Sequence, residues 1–270
     1  MKNRIVTFTR SWLIGACVAG VFSGCSSVPI TGRSQLNMVS QGEELQLGLA
    51  SFEQMKTEVA VSADPTANAL LQSVGKKIAD VASTDLPNAQ WEFVVFQSDQ
   101  MNAFCLPGGK IGVYTGILPV TANEAGLATV LGHEVAHAAA HHGAERMSEA
   151  NLIGIGGQLL GAGLSKAQPT TQATAALLYG AGSNIGRALP HGRLQESEAD
   201  HMGLIYMARA GYDPRAAVEF WKRFAAATKA GDTTPWFLRT HPVTEERISD
   251  LIKLLPEAVA EYERSRTPNK

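Results

Sequence analysis

The segment Gly132-His133-Glu134-Val135-Ala136-His137 constrains this chain more than any other. The text around it, from about Thr121 to His142, carries Leu127, Ala128, Val130, Leu131, Val135 and Ala136, the pattern of a largely buried helix. Gly143 is the predicted stop. Residues four apart share one helix face, so His133 and His137 aim two imidazoles at one point. That spacing suits a metal ion. Glu134, between them, stands beside the ion, placed to take a proton from a water on it.

Two imidazoles are not enough, because a catalytic zinc usually takes three protein ligands and leaves one position open. One known arrangement puts a third His six residues after the second, with Gly three after it. Here those positions hold Gly143 and Ala140, so it is excluded. His141 continues the row, but a straight helix cannot wrap three successive turns round one ion, and His141 is expected on the surface. The stronger candidate is Arg193-Leu194-Gln195-Glu196-Ser197-Glu198-Ala199-Asp200. Glu196 and Asp200, four apart, share a face of a second helix. Glu196 can bind the ion, and Asp200 can accept the free ring N–H of a ligand His and fix its tautomer. Glu198 is expected to be solvated. A hydrolytic centre also needs a donor for a developing oxyanion. His241 and Arg247, in Arg239-Thr240-His241-Pro242-Val243-Thr244-Glu245-Glu246-Arg247, are the candidates.

The chain has 270 residues, 45% of them hydrophobic and 18% charged, enough to bury a core. Its beginning reads as a targeting segment: Lys2, Arg4 and Arg10 form a basic region, and an apolar stretch follows to Ser23. Phe22-Ser23-Gly24-Cys25 resembles a bacterial lipobox, with Cys25 the lipidated residue. Residues 1–24 are thus an expected lipoprotein signal peptide, and 25–40 a lipid-anchored tether. Removing Lys2, Arg4 and Arg10 takes the formal net charge from −2 to −5, and an acidic chain without a basic stripe is a poor nucleic-acid binder. Only Cys105 would then remain as a free thiol, read as a small packed hydrophobe.

From Ser40 the expected order is a helix over residues 41–55, then a second after Asp64-Pro65. A strand follows at 91–96, and a hairpin over 102–115 turns at Pro107-Gly108-Gly109. Residues 151–188 are rich in Gly and Ala, with apolar runs too short to span a bilayer; tight packing or a flexible lid is expected there. Helices resume at 193–210, 214–229 and 244–264. One domain over 41–265 and a polar tail at 266–270 complete the reading.

Several of these segments together resemble one family, the metallopeptidases that include HtpX, the CAAX prenyl endopeptidases, BepA and LoiP (peptidase family M48). The matching pieces are Asn102-Ala103-Phe104-x-x-Pro107-Gly108-Gly109, Gly132-His133-Glu134-x-x-His137 and His142-Gly143-Ala144-Glu145-Arg146. Glu196-x-x-Ala199-Asp200 and Thr240-His241-Pro242 with Arg247 complete them, in family order. The resemblance implies an α+β, mainly helical, gluzincin-type domain with a small sheet beside the active-site helix. It implies one Zn2+ held by His133, His137 and Glu196, with Glu134 as base and His241 and Arg247 in the active site. In BepA-like relatives the His at the position of His241 sits over the metal, so gating is a second role open to it. The hairpin at 102–115 resembles a strand pair whose edge holds extended substrate. Lacking spanning helices and the repeats of BepA, the chain is nearer the small lipoprotein type. The implied function is a zinc endopeptidase of the bacterial envelope, on the outer membrane facing the periplasm. Misfolded or misassembled envelope proteins would be its substrates, and envelope assembly proteins its partners. A client-binding, chaperone-like lipoprotein is the alternative. A hydrolase of cell-wall peptides fits the site but not the family segments.

Overall fold

The computed structural model describes residues 25–183, 189–229, 237 and 240–267. The expected signal peptide and the last residues of the polar tail lie outside this set, as do residues 184–188, 230–236 and 238–239. The fold is mainly helical with two small sheets. No helix among the described residues is long and apolar enough to cross a membrane.

Strands β1 (Cys25–Ser27) and β2 (Ser34–Leu36) pair antiparallel. The stretch expected as a lipid-anchored tether carries folded structure: Val28 and Gln35 are buried, and Arg33 reaches two buried carboxylates described below. Helix α1 (Gln41–Glu58) starts where expected, with a capping box in which Ser40 and Glu43 satisfy each other's backbone N–H. Helix α2 (Pro65–Ala82) is capped by Asp64, with Pro65 in the first turn, and buries the row Leu71, Val74 and Ile78. Strand β3 (Glu92–Phe96) pairs in parallel with β5 (Lys110–Tyr114). Strand β4 (Ala103–Leu106) pairs antiparallel with β5, so the order is β3-β5-β4 and β4 is an edge. Gly108 and Gly109 turn the β4–β5 hairpin at φ +87° and +78°, which a side chain would disfavour. Rings of Phe52, Phe96, Phe104 and Tyr114 join α1 to this sheet.

The single helix expected from Thr121 to His142 is interrupted at both ends. A short turn, α3 (Leu118–Thr121), precedes α4 (Glu124–Ala139), which Asn123 caps by accepting from the Gly126 N–H. At the other end His141 takes a left-handed conformation, φ 53°, and α5 (His142–Gly163) begins at the next residue. Gly143 lies in the first turn of α5 instead of stopping α4. A non-glycine residue in this region is strained and needs other contacts to hold it. Glu44 supplies one, 2.7 Å from His141 Nδ1, so His141 is half-buried and paired where an exposed ring was expected.

Helix α5 runs on into the Gly-rich region and pairs with α6 (Pro169–Ser183) through Tyr179, whose hydroxyl donates to the Ile153 carbonyl and whose ring covers Gly156. Leu159 and Leu177 on this pair are exposed. Helices α7 (Leu189–Arg209), α8 (Arg215–Lys229) and α9 (Glu245–Arg266) follow. α4 is buried along nearly its whole length and packs on α7, α2, β4 and α8. Where α4 crosses α7, the backbones touch. A Cβ on Gly132 would stand 2.8 Å from the Gly203 carbonyl, and one on Gly203 2.9 Å from the His133 nitrogen. This close approach sets the distance between the two helices that carry the candidate site.

Candidate metal centre

The crossing of α4 and α7 brings His133 and His137 to face Glu196. The Nε2 atoms of the two imidazoles are 3.2 Å apart. Glu196 Oε1 lies 3.2 Å from His137 Nε2, and Oε2 lies 3.5 Å from His133 Nε2. Donors placed tetrahedrally around one ion at about 2.1 Å stand roughly 3.4 Å apart, so these three fit the corners of such a shell. His241 comes from the segment before α9, held by its N–H donating to the Phe237 carbonyl at 2.7 Å. Its Nδ1 is 2.9 Å from Glu196 Oε2 and 3.1 Å from His133 Nε2, near the fourth corner. The four ligand atoms all lie within 4.8 Å of one another.

The donors are strongly coupled to one another. Glu196 is largely buried, which works against its charge, yet the imidazoles of His133, His137 and His241 hold its pKa far below the ordinary carboxylate range. Burial likewise opposes a proton on His133, but Asp200 and Glu196 outweigh it and push that pKa upward. His137, buried with less help from carboxylates, is pushed well down. The facing carboxylate and imidazoles form a nitrogen and oxygen donor set that a metal ion can satisfy.

Glu134 sits beside this set and is buried. Its Oε1 has no hydrogen-bond partner among the described residues and lies 3.5 Å from His241 Nε2. Burial pushes its carboxyl pKa upward, towards the range useful to a general base.

Each imidazole is backed on its far side. His133 Nδ1 is 3.0 Å from Asp200 Oδ1, an ion-pair distance. Asp200 takes two bonds from Arg247, Nε at 2.7 Å and Nη2 at 2.8 Å. The guanidinium lies 4.0 Å over the Trp221 ring and 3.2 Å from Glu196 Oε2. His137 Nδ1 is 2.8 Å from His142 Nδ1, and His142 Nε2 is 3.0 Å from Glu198 Oε2. Glu198, expected to be solvated, is buried. It is paired with Arg33 at 2.8 Å and with the Thr31 hydroxyl. The expectation fails because Thr31 and Arg33 of the β1–β2 hairpin cover Glu198. A signal was present: Gln195, Glu198 and Met202 follow helical spacing, so Glu198 belongs to the buried row. Trp221, Arg33 and Glu198 are site neighbours that sequence reasoning did not assign. His142 lay within a matching segment but carried no role.

A cleft of about 860 Å³ opens onto the donors, with Glu134, His137, Glu196 and His241 in its wall. The edge strand β4 borders it through Ala103, Phe104, Cys105 and Leu106. Burial pushes the Cys105 thiol pKa upward, which removes thiolate reactivity and fits the packed role expected.

The model of peptidase family M48 matches residues 65–255, which include every donor above. The mitochondrial metalloendopeptidase OMA1 of Schizosaccharomyces pombe is 34% identical over 94% of this chain and 74% of its own length. The chain belongs to peptidase family M48. The beta-barrel assembly-enhancing protease of Escherichia coli K12 is 28% identical over 92% of this chain, and that of Yersinia pestis 30% identical over 87%. This M48 metalloprotease spans about half the length of those two relatives, 51% and 49%.

Proposed function

We infer that the chain is a zinc endopeptidase in which His133, His137 and Glu196 hold the ion and Glu134 is the general base. The convergence of two Nε2 atoms and one carboxylate beside the unpartnered Glu134 oxygen carries this reading. The donor set would hold zinc, which when bound lowers the pKa of water and polarises a carbonyl. Glu134 accepts the proton of the attacking water on Oε1, which has no partner among the described residues, then passes it to the leaving amine. Substrate enters the cleft extended, its backbone pairing with the free edge of β4, as a strand added to a sheet. Asp200 fixes His133 with Nδ1 protonated and Nε2 bare. Arg247 is fully engaged by Asp200 and Glu196, so it holds these carboxylates in place; oxyanion donation falls to His241. In the arrangement described here His241 stands at the fourth corner, so it also gates the site and must swing aside for substrate.

We place the enzyme on the bacterial envelope, lipid-anchored through Cys25, facing the periplasm from the outer membrane, with misfolded or misassembled envelope proteins as substrates. The basic-then-apolar stretch before Cys25 and the likeness to beta-barrel assembly-enhancing proteases support this. Likeness to a mitochondrial enzyme supports the chemistry alone. The test is cleavage of casein or unfolded protein by the soluble mature form, with Glu134→Gln and a chelator as controls. Cleavage abolished by both supports the enzyme. Cleavage that survives Glu134→Gln rejects the mechanism, and client binding without cleavage by the wild type favours the chaperone-like alternative.

A further inference from the structure

The geometry points to the β1–β2 hairpin as part of the metal centre: Arg33 and Thr31 fix Glu198, Glu198 fixes His142, and His142 orients the ligand His137. This rests on the reading of His137 as a metal ligand. It makes Arg33, Glu198 and His142 positioning residues that set metal affinity from outside the ligand shell.

The direction of each proton follows from the outermost partner. Glu198 receives Arg33 Nε and Nη2, both at 2.8 Å, and the Thr31 hydroxyl. A carboxylate so paired only accepts. His142 Nε2, 3.0 Å away, must therefore carry the hydrogen and donate it. His137, read as a ligand through Nε2, carries its hydrogen on Nδ1. His142 Nδ1, 2.8 Å away, is placed to accept it. That leaves the lone pair of His137 Nε2 facing His133 and Glu196, the tautomer a metal ligand needs.

Two backbone features exist to build this relay. The left-handed turn at His141 brings His142 back over the helix that carries His137, five residues earlier. On the hairpin, Ile30 has φ 63°, a conformation costly for a β-branched residue. It sits in the tight loop whose next residues, Thr31 and Arg33, are the ones that grip Glu198. Arg33 also pairs with Glu145 through Nη1 at 2.7 Å and Nη2 at 2.9 Å, so its fork is filled on both sides.

The experiment measures the zinc dissociation constant by competition with a chromophoric chelator, the visible spectrum of the cobalt-loaded protein, and the melting temperature of the metal-free protein. The variants are His142→Leu, His142→Gln, Glu198→Gln and Arg33→Met. His142→Leu should weaken zinc binding about 10- to 100-fold, as loss of a ligand-orienting partner does, and alter the cobalt spectrum. His142→Gln should recover most of that affinity, because its amide accepts from His137 and donates to Glu198. Glu198→Gln and Arg33→Met should weaken zinc in the same direction but less. Zinc affinity of His142→Leu within about twofold of wild type would overturn the proposal. So would a loss in His142→Leu that His142→Gln shares fully and that tracks a fall in metal-free melting temperature, since that marks a merely structural role. Wild-type protein that takes up no zinc would overturn the metal reading itself.

Discussion

The two imidazoles of the candidate centre are held in contrasting ways. His133 is backed by one carboxylate, Asp200, locked by Arg247 of α9 over Trp221. His137 is backed by a second imidazole, His142, then Glu198, then Arg33 of the N-terminal hairpin. Both chains of contacts end on an arginine. The first is short and draws on the C-terminal helix; the second has an extra link and draws on the opposite end of the sequence. A short charged backing holds its ring by direct attraction. A longer one transmits only geometry through a second imidazole, so it should be weaker and easier to loosen. The contrast also explains why distant ends of the chain fold onto one site.

The largest expected effect falls on the base that stands between the two backings. Glu134→Gln leaves both intact and removes only the base, so hydrolysis should fall by about 10²- to 10⁴-fold while zinc content stays at the wild-type level. Turnover and zinc content on the same preparation check this. Gly203→Val should drive α7 off α4, because even a Cβ there would meet the His133 nitrogen at 2.9 Å. Overpacking of this kind costs about 1–3 kcal/mol, read as a lowered melting temperature, and zinc should be lost with it. Asp200→Asn should weaken zinc at the upper end of the roughly 10- to 100-fold range, beyond the effect of Glu198→Gln, which the same chelator competition measures. Equal effects would mean the extra link does not matter.

The smallest effect sharpens the second backing through the turn that supports it. Glu44 raises the pKa of His141 above its ordinary 6.5, by a hydrogen bond that outweighs partial burial. A raised histidine pKa contributes stability that is full below the unfolded pKa and is lost as pH rises through the folded one. Glu44→Gln should therefore lower the melting temperature at pH 6, by less than about 1 kcal/mol in stability, and change little at pH 9.

Much of this was legible from residue types and spacing. Ser40 and Asp64 announce their helices because a short polar side chain before an apolar row has one local use, to satisfy free N–H groups. The His133–His137 spacing and the Glu196–Asp200 spacing are likewise local, and helical geometry converts them directly into shared faces. What stayed hidden depends on distant partners. Nothing near Glu198 says that Arg33, 165 residues earlier in the chain, will cover it. The segment 26–40 reads as a tether because its few apolar residues form no period, yet pairing and the Arg33 contacts fold it. The break at His141 is hidden for the same reason: its left-handed turn is held by Glu44 on another helix.

The central claim is that two imidazoles from α4 and one carboxylate from α7 grip a single ion. An anomalous difference map at the zinc edge, from crystals of the zinc-loaded protein, tests it most directly. The account predicts one peak per chain, at about 2.0–2.2 Å from His133 Nε2, His137 Nε2 and a Glu196 oxygen. A peak elsewhere, or one from which Glu196 is turned away, would contradict it.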